Sequence, residues 1–487
     1  MLPKKIHFNG INGATGAPLI PPMEPAELIE WIKAGDTDEA PEVKDDLRNV
    51  REYKKSHLGL IEEFKDHVSN LAKVRWGVIY PRNISEGVKD ALLPLVQARD
   101  GVVLTYNPEA KEGGESSQKF RSRHNQPRGR VDPTRLPYYL LIVGSPADIP
   151  FKFQYGLDAE HAVGRLYFDD EADYGRYVEK LLAYESAVAQ VSRARRLAFF
   201  SPSHEGDEAT ARSAEYLAAP LAQALHAKQL EADASVSFSY QAEHVGGEAA
   251  KRDALLDLLT RSASGPSLIF TASHGLGFPS GHPLQLERQG ALVCSGWPGG
   301  EHWQEGTPLP EEMFFSGQSL PATADLSGLV VFSFACYSAG TPRWEDFALF
   351  RQHQPKELAV MPFVARLPQS LLAAGALAFI GHVEQAWDYS FLDEQIGSDI
   401  ATFKSTLESI LKGRPVGHAM EHFNDLYVQL ARELTESDEE SRLSQYNLGE
   451  PVDPNQLVAL WTRHNDARAY VLYGDPFARL RPALMPD

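Results

Sequence analysis

The stretch LVVFSFACYSAG, residues 329–340, decides how this chain reads. Its first half is an unbroken run of apolar, β-prone side chains, the pattern of a strand covered on both faces. The run stops at Ala335-Cys336, and the small Ser338, Ala339 and Gly340 that follow leave room for another backbone. A second stretch stops in the same manner, SLIFTAS at 267–273 running into His274-Gly275. Loops diverge at the carboxyl edge of an open parallel sheet and leave a crevice there. Both strands therefore predict delivery of a thiol and an imidazole to one edge.

Taken singly, Cys336 reads as a core cysteine and His274 as a turn histidine. Their joint placement, each just past an apolar strand and beside a tiny residue, favours a Cys-His dyad. A neighbouring imidazole stabilises a thiolate nucleophile and later protonates a leaving amine. Gly275 lets its backbone N–H approach a developing oxyanion together with the N–H of Cys336. Cys294, in QGALVCSGW, has no such companion and reads as structural.

Outward from these strands, short apolar runs alternate with helical ones. VRWGVIYP, SEGVKDALLPLVQA, GVVLTY and YYLLIVG come first, then RRLAFFSP, an Ala-rich helix over 207–228, and ALAFIGH. This alternation predicts an α/β fold, a three-layer α/β/α sandwich on a mostly parallel sheet. Residues 1–73 read as an arm followed by a mainly helical region, 74–260 as a first α/β subdomain, and 261–487 as a catalytic subdomain with an insert at 276–328. The polar segment 111–130 reads as a solvated loop and a place for self-processing.

The chain has 487 residues, 43% hydrophobic and 23% charged, with a formal net charge of −19. The length suits more than one structural unit, and the composition is that of a folded globular protein. The negative charge argues against nucleic acid or an anionic membrane surface as partner. No run approaches the ~20 apolar residues of a membrane span, and the opening MLPKKIHFNGINGATGAPLIPP lacks the apolar centre of a secretory signal. A cytoplasmic location is expected. The two cysteines make no disulfide framework and are expected to remain thiols.

His418-Ala419-Met420-Glu421-His422 fits H-x-x-E-H, in which two histidines hold zinc and the glutamate activates water. A third ligand would have to come from the remaining stretch of chain. A zinc metallopeptidase built on His418, Glu421 and His422 is thus an alternative, and a less favoured one.

Several segments together resemble the caspase-type cysteine peptidases of clan CD, and among them the gingipain-like family. Two are the apolar blocks ending in His274-Gly275 and Ala335-Cys336. YYLLIVGSPADIPF at 138–151 is similar to that family's strand and turn. AVGRLYFDDEADYGRYVEKLLAYE, from residue 162, is similar to its Gly-Arg segment and helix, and YVLYGDPFARL at 470–480 to its late Gly-Asp-Pro motif.

The resemblance implies a caspase-like fold and a cysteine endopeptidase acting through a thioacyl intermediate. It makes Cys336 the nucleophile, His274 the acid and base, and the N–H groups of Gly275 and Cys336 the oxyanion donors. It also implies a pocket walled by Trp387 and Tyr389, with Asp158 at its base selecting Arg or Lys before the scissile bond. The substrate would be a protein or peptide. The chemistry requires no cofactor, and the resemblance leaves calcium open.

This chain departs from the family in two ways. Sixty-two residues separate His274 from Cys336, more than in gingipains, which makes the insert a rim over the cleft. Export segments are not recognisable, which favours an intracellular enzyme under regulation, with a dedicated partner protein or activator. A caspase-fold protein that binds without cutting is the competing reading.

Overall fold

The computed structural model describes residues 5–28, 59–108, 114–126, 128–232, 236–261, 264–304, 306–345, 356–393, 397–445 and 453–487. Of the arm and helical region read over 1–73, residues 29–58 lie outside the described residues.

An N-terminal strand β1 (Gly10–Asn12) precedes the main alternation. Then come β2 (Trp76–Tyr80), helix α1 (Glu86–Ala98), β3 (Val102–Thr105), α2 (Ser117–Arg123), β4 (Tyr139–Val143), α3 (Phe151–Asp158), β5 (Ala162–Leu166) and α4 (Ala172–Ser186). The chain continues through β6 (Ala194–Ser201), the short α5 (Glu208–Arg212), β7 (Gln241–Gly246), α6 (Arg252–Thr260) and β8 (Pro266–Ala272). Three short strands of the insert follow, β9 (Gly275–Gly277), β10 (Leu292–Val293) and β11 (Phe314–Phe315). Last are β12 (Val330–Phe334), α7 (Arg366–Ala373), β13 (Ala378–His382), α8 (Ala401–Leu411), α9 (Glu421–Gln445), α10 (Pro454–Ala469) and β14 (Tyr470–Gly474).

One ten-stranded sheet runs through the molecule in the order β3-β2-β4-β5-β14-β13-β12-β8-β6-β7. Every neighbouring pair is parallel except β13 with β14. The central strands β4, β5, β8, β12, β13 and β14 are buried at every position, as strands with helices on both faces must be. This is a caspase-like α/β/α architecture. The boundary expected at 260/261 falls between β7 and β8, both of which lie in the same half of the sheet. The last strand, β14, inserts between the halves and joins them.

The segments at 138–151 and from 162 turn out to be one structural unit. Arg165 of β5 is fully buried, and its guanidinium donates to the carbonyls of Gly144 (2.9 Å) and Ile149 (2.8 Å) and to Oε1 of Gln154 (2.9 Å). The planar fork of arginine satisfies three acceptors that the turn leaves facing inward.

The solvated loop expected at 111–130 is partly a helix. Ser116 caps α2, accepting from the Lys119 N–H. Phe120 is buried with Ile79, Leu104 and Phe153, and Arg121 pairs with the buried Glu160. A backbone held in this way is a poor cleavage site. Residues 109–113 lie outside the described residues.

Candidate active site

β8 and β12 are adjacent and parallel, with Ala272 in register with Phe334. Two residues further along each strand stand His274 and Cys336, side by side at the carboxyl edge. Ser273 N–H still donates to the Phe334 carbonyl at 3.1 Å, which holds the two strand ends together. A Cβ at residue 275 would lie 1.8 Å from the Cys336 carbonyl oxygen, so only glycine lets the strands approach this closely. Directly after the cysteine the chain turns sharply. Tyr337 takes φ +57°, a left-handed conformation that costs a non-glycine residue ~1–2 kcal/mol. Its N–H is anchored on the Glu384 carbonyl at 2.8 Å.

A carboxylate orients the imidazole. Asp207 lies in the loop after β6, the strand that neighbours β8, and its Oδ2 sits 2.8 Å from His274 Nε2. Because a carboxylate only accepts, Nε2 carries the hydrogen, and Nδ1 is left as a buried lone pair without a partner. Asp207 is also the N-cap of α5, accepting from Thr210 N–H at 3.1 Å and from the Thr210 hydroxyl. Burial alone would push its carboxyl up, but His274 and Thr210 more than offset this and hold it below the usual carboxylate range. The indole of Trp297, from the insert, stands edge-on to the His274 ring with centroids 5.5 Å apart. His204 lies nearly parallel to His274, with its own pKa pushed down to about 4 by burial and by the neighbouring His274.

The thiol is fully buried, and what buries it is the N-terminal arm, residues 5–28. The carbonyl oxygen of Asn9 accepts from Gly275 N–H at 3.1 Å and from Cys336 N–H at 3.3 Å. Asn9 N–H donates to the Ala386 carbonyl at 3.0 Å, Asp388 N–H donates to the His7 carbonyl at 3.3 Å, and Phe8 bridges antiparallel to Trp387. Beyond Asn9 the arm continues as β1, paired in parallel with β9, and so becomes the edge strand of a small sheet in the order β1-β9-β10-β11. The insert expected to rim the cleft is that sheet. Enclosed in this way, the Cys336 thiol is pushed up to about 12, chiefly by burial. It accepts the Ala386 N–H at 3.1 Å.

Trp387 and Tyr389 lie against the N-terminal arm. They are buried with Ile6, Phe8, Ile20, Met23 and Leu28 of the arm, and the Phe8 and Trp387 rings meet edge-on at 4.2 Å. Asp158 closes α3 beside β5, and burial pushes its carboxyl well up despite Arg165 and the Val163 N–H. With two strands, β14 and β13, between it and the cysteine strand, Asp158 stands away from the place expected of a pocket base.

The H-x-x-E-H cluster is not arranged as a metal centre. His418 Nδ1 faces Glu421 at 3.1 Å and the Tyr138 hydroxyl at 3.0 Å, and that hydroxyl also donates to Glu421. No group of three or more His, Cys, Asp or Glu side chains among the described residues is placed to hold a metal ion. Among the described residues no helix is long and apolar enough to cross a membrane. Cys294 is buried, its thiol donating to the Leu292 carbonyl at 3.5 Å and pushed up by burial.

Asp207 and the role of the arm were not found by reading the sequence. Asp207 had one signal, as an acidic residue opening a helix shortly after the strand RRLAFFSP. The arm had none, because its fit to the cleft is made of backbone contacts.

A caspase-like sheet that presents a thiol and an imidazole at one edge, with two backbone N–H groups converging on a single carbonyl, defines the class of clan CD cysteine peptidases. The chain belongs to peptidase family C25, whose model matches residues 98–481. No curated protein sequence matches it. Among solved structures it is similar to one described as "Structure of Protease", at 12% identity and a TM-score of 0.45, covering 86% of this chain and 81% of that one. It is also similar to separase in the Saccharomyces cerevisiae separase-securin complex, at 10% identity and a TM-score of 0.30, covering 73% of this chain and 16% of that one.

Proposed function

We propose that this peptidase is an endopeptidase in which Cys336 is the nucleophile and His274 the acid and base. The N–H groups of Gly275 and Cys336 form the oxyanion hole, and Asp207 is a positioning residue that fixes the imidazole tautomer. The observation that carries this reading is the Asn9 carbonyl, held by both N–H groups beside the thiol. A tetrahedral intermediate would place its oxyanion on those same donors, where preorganised N–H groups are worth several kcal/mol.

The thiol gives its proton to His274 Nδ1 and the sulfur adds to the carbonyl carbon. His274 then protonates the departing amine, and the thioester is hydrolysed by water activated by the same imidazole. Endopeptidase action is favoured because backbone passes through the cleft on both sides of the held carbonyl, residues 5–8 before it and 10–13 after it. The Arg/Lys preference expected from Asp158 loses its basis with that residue's position. The cytoplasmic assignment rests on two buried, unpaired thiols that suit a reducing compartment.

Cleavage of a mixed peptide library by wild type and by Cys336→Ala tests the reading. Hydrolysis by the wild type and none by the variant is expected; equal hydrolysis by both would remove Cys336 from the chemistry.

A further inference from the structure

We propose that the pocket before the scissile bond selects asparagine, and that the Asn9–Gly10 bond of the chain's own arm is the enzyme's tethered substrate. This rests on the proposed function above and adds its specificity and its first target.

The contacts on either side of the Asn9 carbonyl are those a bound substrate would make. Residues 7–9 pair antiparallel with 386–388, and the Asp388 carboxylate accepts the His7 N–H at 3.2 Å while being held by Arg212 at 2.5 Å. Arg212 also donates to the Lys5 carbonyl. Phe8 packs on Trp387, so the position before asparagine has an aromatic wall. On the other side, a Cβ at residue 10 would lie 3.2 Å from Cys336 Sγ and 2.7 Å from a methyl of Leu19. Glycine therefore lets the bond lie against the sulfur.

The Asn9 side chain is fully buried beneath this bond. Its Nδ2 donates to Ser213 Oγ at 3.5 Å, and its Oδ1 is a buried acceptor without a partner. The carboxylates near the arm are already engaged, Asp207 by His274 and Thr210, and Asp388 by Arg212. A guanidinium or ammonium in place of the carboxamide would be buried without a free counter-charge, which polar sites reject strongly. A short uncharged amide fits.

Cleavage follows the balanced course already described. The Asn9 C–N bond to Gly10 breaks and a Cys336–Asn9 thioester forms, with the thiol proton passing through His274 to the Gly10 amine. Water then releases Asn9 as a carboxylate and restores the thiol. Both ends of the cut arm remain tied, since Ile6 and Met23 exchange backbone hydrogen bonds at 2.9 and 3.3 Å. The cleft then opens only when the cut arm is displaced.

The test uses the full chain. Intact-mass time courses of wild type, Cys336→Ala and Asn9→Arg are expected to show loss of residues 1–9 in the wild type alone. Because Asn9→Arg could simply undock the arm, the same wild type is also given fluorogenic peptides Ile-His-Phe-Xaa with Xaa as Asn, Arg or Lys. The Asn peptide is expected to be favoured at least ~10-fold in kcat/KM. Cys336-dependent cleavage that favours Arg or Lys, or an arm left uncut by an enzyme that hydrolyses other peptides, overturns this inference and leaves the peptidase intact. If neither the arm nor any peptide is cut in a Cys336-dependent manner, both fall.

Discussion

Replacing Asp207 by asparagine is expected to lower kcat by about 10³–10⁴-fold, the scale seen when a catalytic imidazole is held in the wrong tautomer. The carboxylate can only accept, so it keeps the hydrogen on His274 Nε2 and leaves Nδ1 as an open lone pair, which on the proposed mechanism takes the thiol proton. An asparagine amide can turn its NH₂ toward Nε2 and stabilise the opposite tautomer, with Nδ1 already protonated. His274 Nε2, the Thr210 N–H and the Thr210 hydroxyl all meet the same Oδ2, so an amide turned this way also gives up the cap of α5, a loss of about 1 kcal/mol. The expected result is therefore a collapse in kcat with little change in KM and only a small fall in thermal midpoint. A fall in thermal midpoint with kcat preserved would assign Asp207 to the helix alone.

The second large effect is on stability. Asp475, in the Gly474-Asp475-Pro476 motif after β14, is fully buried. It accepts from Trp76 Nε1 at 2.8 Å, from Arg99 Nε at 3.0 Å and from the Phe477 N–H at 3.2 Å. Arg99 in turn is held by Glu185 at the end of α4. The motif thus ties the last strand to β2, to the residue after α1 and to α4, which is why it comes so late in the chain and still matters to the whole sheet. Asp475→Ala would strand a buried guanidinium and an indole N–H, a loss of about 3–5 kcal/mol, read as a lower unfolding midpoint in urea. Asp475→Asn keeps an acceptor for Trp76 and should fall between the two. An alanine variant as stable as the wild type would mean that Glu185 alone satisfies Arg99.

Much of this architecture can be read from the sequence, because strands buried on both faces write themselves as apolar runs. VVFSF, SLIFTA and YLLIV are strands within a residue or two of where the runs lie. The partly exposed edge strand QAEHVG carries no such run, and the antiparallel placement of YVLYG between the two halves depends on pairing that no local pattern records. The placing of His274 and Cys336 at one sheet edge was legible because each ends an apolar run. Asp207 comes from a third strand's loop, and its meeting with His274 is a property of strand order, β6 beside β8. Asp158 misled for the same reason: the resemblance gave it a role through its position in the sequence, whereas the sheet places two strands between β5 and the cysteine strand. In the arm, FNGING reads as an irregular, glycine-rich start, yet its Gly10 is what lets a backbone lie against the thiol.

The central claim is that Cys336 forms the covalent bond to the acyl group. Peptide mapping of the full chain after reaction with peptidyl acyloxymethyl ketones, carrying Asn, Arg or Lys next to the ketone, tests it most directly. A single adduct on Cys336, lost in His274→Ala and accompanied by loss of hydrolysis, is the result predicted. An adduct confined to Cys294, or hydrolysis that continues after Cys336 is fully modified, would contradict it.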